Sequence, residues 1–435
     1  MKKKLLICIQ NSYVLSQYEN HFKELSNKFD ITLIISNYLV DSDKKEKLKK
    51  FANSILIDKF FIIPFYSNGL SRNIFDVINT HIFLKNLKKK INFHDFSSCI
   101  SDGKFFLWHR VILETFLNES CIQIGIAHSL ITMPVEKFDE LINGKDIYSL
   151  VKSMHKLREV KKKEKKRNNF LAKLNNVKKR FLDLMIDRRI LSYLFYKKNF
   201  DYNHLDFNLS SETEKFDFKI TFFYSTFYFW NKWYNNGKVY ICSNSSKCVC
   251  KEKDKNKILF LSSGKIFVKP FNDTDNTHQK MYDTINNVSS FLTKIKDENP
   301  SVNILEIKHH PRSLEENKKF FEIKLKEKMG ERFTINNLVN TETITKIACN
   351  YKFAFGPVTT ALKFLESCKN IKLYCLKSLS KDKYGDKYFL KLINEKIIFF
   401  DDEKQIEDQN LKKYQNLIVK KDRDNFCSLI YKLSK

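Results

Sequence analysis

Short, unbroken apolar runs recur along this chain, and they constrain its fold more than any other feature. Strand candidates fall at residues 4–9, 31–35, 55–57, 61–63, 98–103 (ending in the polar Asp102-Gly103), 121–127, 219–224 and 238–242, and again at 257–261, 304–307, 332–335, 351–355, 371–375 and 397–400. Such runs lack polar alternation, which is how strands buried on both faces read. Helical stretches separate them, at about 17–28, 73–90, 104–118, 227–235, 278–297, 341–348 and 357–367. Strands alternating with helices mean parallel sheets with helices on both faces, an α/β fold. A chain of 435 residues is long for one hydrophobic core, so two domains are expected.

The expected division is an N-terminal domain over 1–246, a polar linker over 247–256 and a second domain over 257–404. A last helix within 405–435 is expected to pack back on the first domain. The stretch 146–200 differs in kind. Residues 151–180 hold thirteen Lys or Arg and two Glu, with Phe170, Leu174, Val177, Phe181 and Met185 at helical spacing. It reads as an inserted basic helical arm, either a solvated hairpin or a contact for an anionic membrane face or polymer. The net charge of +28 fits an anionic partner, although abundant Lys, Asn, Ile and Phe with little Gly or Pro also fit an AT-rich genome. No nucleic-acid-binding module accompanies the charge, so nucleic acid is not the expected partner.

The ten cysteines show no paired framework, and Cys248 and Cys250 lack zinc-knuckle spacing. This fits a reducing compartment. The apolar core after Lys4 is too short for a secretory signal, and no run approaches a membrane span. The expected location is the cytoplasm, at the inner face of the cytoplasmic membrane if the arm binds there.

Several clusters carry candidate chemistry. Lys308-His309-His310-Pro311 ends an apolar run, and the proline fixes the chain direction there. A cation and imidazoles at a strand's end suit a phosphate, with His310 as the contact and His309 pointing the other way. Gly356, Pro357, Thr359 and Thr360 end a strand and open a helix, where hydroxyls and free N–H groups either cap the helix or hold an anion. Ser262, Ser263 and Gly264 follow the first strand of the second half and line the cleft between the domains, or form a plain turn. In the first half, Asp102 ends a strand before Gly103, placed to deprotonate a hydroxyl or to cap a helix. His128 ends the next strand and competes as base. The pairs Asp41/Asp43 and Asp273/Asp275 resemble metal-binding triplets but sit where acids cap helices. No metal site or cofactor is expected, and neither an NTPase loop nor a dinucleotide fingerprint occurs.

These motifs resemble those of GT-B glycosyltransferases of bacterial surface polysaccharides, in particular the bacterial sialyltransferase and polysialyltransferase group. Ser101-Asp102-Gly103 is similar to that group's acidic-acidic-Gly motif, with Ser in place of one acid. His310-Pro311 and Thr359-Thr360 are similar to its His-Pro motif and Ser/Thr pair. The resemblance implies two Rossmann-like domains facing across a cleft. It implies an inverting, metal-independent transfer of an acidic sugar, of sialic acid or Kdo type, from a CMP donor to a capsule, lipooligosaccharide or other surface glycan. Asp102 is then the base on the acceptor hydroxyl. His310, Lys308 and the Thr pair hold the departing phosphate. A lesser resemblance, to CDP-glycerol phosphotransferases of surface polymers, gives the base role to His128. A non-catalytic basic protein binding membrane or nucleic acid is the remaining alternative.

Overall fold

The computed structural model describes residues 2–10, 12–36, 49, 52–53, 57, 59–63, 74–103, 107–127, 195–197, 216–222, 226–227, 230–231, 238–243, 256–262, 267, 277–310, 313–338, 344–347, 350–357, 359, 361–362, 365, 371–376, 379, 397–399 and 424–435. The basic arm falls almost wholly outside these residues. So do both Asp-x-Asp pairs, Cys248 and Cys250, and all but the last residue of the expected linker.

The strands of the first half are β1 (Lys3–Ile9), β2 (Phe29–Ser36), β3 (Lys59–Ile63), β4 (Ser98–Ser101), β5 (Ile122–Ile126), β6 (Phe218–Thr221) and β7 (Val239–Ser243). Those of the second half are β8 (Lys257–Leu261), β9 (Ile304–Lys308), β10 (Thr334–Asn337), β11 (Phe353–Gly356), β12 (Lys372–Cys375) and β13 (Ile397–Phe399). A short β14 (Asp424–Asn425) follows near the end. They form two parallel sheets, in the orders β14-β7-β6-β5-β4-β1-β2-β3 and β10-β9-β8-β11-β12-β13. In the first, Ile7 lies between Leu33 on β2 and Ile100 on β4. In the second, Phe260 lies between Ile307 on β9 and Phe355 on β11.

Period-two geometry divides each buried strand between two faces. Leu5, Ile7 and Ile9 of β1 share a core with Val14, Tyr18 and Phe22 of α1 (Ser12–Leu25), which recur at helical spacing. Leu6 and Cys8 face the other way, with Leu84 and Leu87 of α2 (Ile74–Lys90) and with Trp108 and Val111 of α3 (Leu107–Val111). In the second sheet, Ile258 and Phe260 share a core with Met281, Ile285, Val288 and Leu292 of α4 (Thr277–Glu298). Phe321, Leu325 and Met329 of α5 (Glu315–Met329) belong to the same core. Leu259 and Leu261 face the opposite layer with Ile347, at the end of α6 (Ile344–Ile347), and Leu362.

The single helix expected over 104–118 is instead two pieces. After α3, residues Ile112–Phe116 form a turn of π-helix, closed by Leu117 N donating to Ile112 O at 3.1 Å. The side chain of Gln123 on β5 donates to the Leu113 carbonyl at 2.8 Å within this wider turn. Ile112, Leu113 and Phe116 are all buried, so the extra residue per turn serves packing against the sheet.

The chain end returns to the first sheet. β14 pairs with β7, and α7 (Phe426–Leu433) starts at Asn425, whose side chain accepts from Ser428 N at 2.9 Å. Phe426, Leu429 and Ile430 are buried in the α1 layer. Lys3 Nζ donates to Ser434 O at 2.7 Å, and Ser434 and Ser98 join hydroxyls at 2.9 Å.

Candidate functional site

In an open parallel sheet, ligands bind beyond the carboxyl ends of the strands, at the point where the strand order reverses. The first sheet reverses between β1 and β4, and the second between β8 and β11. Gln10 and Asp102 follow the first pair of strands. Ser262 and the Gly356–Thr359 stretch follow the second.

At the first reversal the polar groups are enclosed. Asp102 is buried, and its two carboxylate oxygens accept from Gln10 N at 3.2 and 3.4 Å. His109 Nε2 lies 3.5 Å from Asp102 Oδ1, with both side chains fully buried. The His109 ring stacks on Trp108 with centroids 3.7 Å apart. Burial lowers the His109 pKa to about 3, opposed by a backbone contact with Cys8, so the ring is neutral at physiological pH. Tyr18 closes the floor, its hydroxyl donating to Ala127 O at 2.6 Å beyond β5. Burial, Cys242 and Asp102 together push its phenol pKa up. Gly103 adopts a φ of 151°, open to glycine, while the Ser101 hydroxyl donates to Gly103 O at 2.8 Å. Ser101 thus shapes the turn after β4.

His109 was not singled out by motif. Its signal is a lone imidazole within the apolar helix run 105–113, a pattern shared with ordinary core histidines.

At the second reversal the polar groups are partly open. Leu305, Ile307 and His309 alternate into the core, while Glu306 and Lys308 are half-buried and His310 is exposed. Period two therefore sends the two imidazoles to opposite sides. His309 packs edge-on against Phe267 at 5.0 Å, and its Nδ1 meets Ser262 Oγ at 3.0 Å. Burial and Lys318 lower its pKa to about 4, opposed by Asn337, Glu315 and Glu322. Ser262 Oγ also accepts from His310 N at 3.3 Å, and Ser262 N donates to Lys308 O at 3.2 Å. One hydroxyl thus ties the end of β8 to the turn after β9.

Gly356 stands where a Cβ would meet Leu261 O at 2.6 Å, so only glycine lets β11 lie this close to β8 at the reversal. The helix expected over 357–367 begins later than its first residues. Pro357 lies in a bend, and Thr359 stands ahead of the helical residues 361–362, its Oγ1 accepting from Leu362 N at 3.2 Å. Thr359 is therefore the capping residue rather than a first-turn residue. Lys308, His310, Ser262, Gly356 and Thr359 accordingly gather at one edge, on the adjacent strands β9, β8 and β11. Pro311, Thr360, Ser263, Gly264 and His128 lie outside the described residues.

Six cysteines among the described residues are buried and none of them is in a disulfide. No described helix is long and apolar enough to cross a membrane.

No protein-family model matches the chain, and no curated protein sequence matches it. Solved structures do. The chain is similar to TcCGT1, solved in complex with UDP, at 8% identity and a TM-score of 0.50, over 96% of this chain and 90% of that one. It is also similar to UDP-GlcNAc 2-epimerase from Methanocaldococcus jannaschii, at 11% identity and a TM-score of 0.46, over 97% of this chain and 94% of that one. At such identities the likeness is one of fold. The chain is an α/β protein of the GT-B type, with two Rossmann-like domains.

Proposed function

We propose that the chain is an inverting glycosyltransferase that moves an acidic sugar, of sialic acid or Kdo type, from a CMP donor to a bacterial surface glycan. The observation that carries this reading is the second reversal. An exposed imidazole, a lysine, a serine and a capping threonine share one strand edge around a glycine that admits close backbone approach. That set suits a phosphate leaving as an anion. In this reaction an acceptor oxygen attacks the anomeric carbon and the bond from that carbon to the phosphate oxygen breaks. The electron pair departs on CMP, neutralised by His310 and Lys308. The acceptor proton passes to Asp102, whose carboxylate Gln10 N and His109 orient.

The enclosure of Asp102 favours one further reading. In a polyol phosphotransferase using a CDP donor, His128 takes the acceptor proton and Asp102 only braces the first reversal.

Thermal unfolding with CMP, CDP, UDP and GDP tests the proposal, since a ligand at a hundred times its Kd stabilises the fold by about 2.7 kcal/mol. CMP is expected to raise the midpoint most, with release of CMP from a CMP-sugar on addition of acceptor. A response to CDP alone would shift the reading to phosphotransfer. No response to any nucleotide, and no turnover of nucleotide sugars, would defeat both.

A further inference from the structure

A group of metal-ligating side chains lies where α7 docks on α1, three residues along α1 from Tyr18, with the His21 and Tyr18 ring centroids 6.3 Å apart. His21, Glu24 and Cys427 each offer one ligand atom, and these atoms all lie within 4.8 Å of one another. His21 and Glu24 are three residues apart on α1 and so share a face. Cys427 is the second residue of α7, and burial and the Glu24 carboxylate push its thiol pKa up, so the sulfur keeps its proton until a metal displaces it.

We propose that these three side chains form a site for a borderline-soft divalent cation of the zinc kind, which clamps the C-terminal helix to the first domain. The donor set carries the choice of ion. Thiolate, imidazole and carboxylate together suit zinc, whereas calcium and magnesium take oxygen ligands. The imidazole is oriented in advance. His21 is 2% exposed, and its ring stacks on Phe222 at 5.2 Å and 19° and packs on Phe426 at 4.9 Å. Cys427 is 1% exposed, and its thiol donates to the His21 carbonyl at 3.3 Å. Binding replaces the thiol proton, which leaves to solvent, with the metal. Glu24 is exposed and gives the ion a route in, with water completing a tetrahedral shell. The neighbouring cation, Lys28, has its ammonium over the Tyr431 ring at 5.0 Å.

The site is separate from the transfer chemistry, and its test does not read activity. Full-length protein, stripped with chelator and kept reduced, is titrated with Co2+ and then Zn2+. The expected result is a thiolate-to-cobalt absorption band at one equivalent, erased by Zn2+, together with a higher unfolding midpoint in Zn2+. Cys427→Ser is expected to remove both. Should that variant not fold, Glu24→Gln changes only an exposed residue and is expected to weaken Co2+ binding by at least about tenfold. No band in the parent protein would overturn the proposal. So would a band unchanged in Cys427→Ser, or, where that variant does not fold, unchanged affinity in Glu24→Gln.

Discussion

The two strand reversals have the same topology and opposite character. At the first, Asp102, His109 and Tyr18 are sealed, and the polar atoms meet one another or the backbone. At the second, a buried pair, His309 and Ser262, stands behind an exposed His310 and a half-buried Lys308. The contrast teaches that adjacent residues of one motif divide labour by face. His309 anchors the turn, and His310 stands exposed beside it. The first reversal has only the anchoring layer among its described residues.

Asp102→Ala would break this comparison most severely. It leaves the Gln10 N–H without its carboxylate partner in a buried setting, a loss of about 1–3 kcal/mol in unfolding free energy. If Asp102 is the base, sugar transfer should also fall about 10²- to 10⁴-fold. Denaturant unfolding and initial rates separate the two effects. A stability loss with the rate retained would make the first reversal purely a brace and pass the base role to His128.

His310→Ala is the sharper test of the open reversal. Transfer should fall about 10²- to 10³-fold, as when one donor to a developing anion is removed. Stability should stay within about 0.5 kcal/mol, because the ring is exposed. A midpoint that drops as far as it does in Asp102→Ala would erase the distinction between the two reversals.

The third test varies pH. His309 and His81 have pKa values lowered to about 4 in the fold, and His109 to about 3, chiefly by burial. Below about 6.5 the unfolded chain takes up protons that the fold refuses. Stability should therefore be full above that pH and decline as pH falls towards 4. His309→Phe should flatten part of the decline, as measured by urea midpoints across that range.

The strands were legible in the sequence because parallel strands covered on both faces read as unbroken apolar runs. Cys8 in β1 and Phe260 in β8 are examples, each flanked by buried neighbours on the opposite face. Other features left weaker marks. The π turn at Ile112–Phe116 buries Ile112, Leu113 and Phe116 and leaves Glu114 and Thr115 half-buried, a pattern that an α-helical turn would show as well. β14 is two polar residues, Asp424 and Asn425, held by backbone pairing with β7, by Ser243 Oγ donating to Asp424 O at 3.4 Å and by the Asn425 cap. The start of the helix after β11 was misplaced because Pro357 fits a first helical turn as well as a bend. Thr359 shows its capping role only through the bond from Leu362 N. At the site, the split between His309 and His310 follows from strand alternation. The Asp102–His109 contact joins two elements and leaves no local pattern.

The pairing of β14 with β7 bears on the order of assembly. Asp424 lies beside Cys242, and Ser434 contacts Ser98, so contacts of the first sheet span well over a hundred residues. On the ribosome, β7 emerges with an unpaired edge and the α1 layer lacks its last helix until the whole second sheet has been made. Such non-local pairing is slow to form, and an open edge invites other strands. All strands of the second sheet lie in sequence between β7 and the last strand and helix of the first.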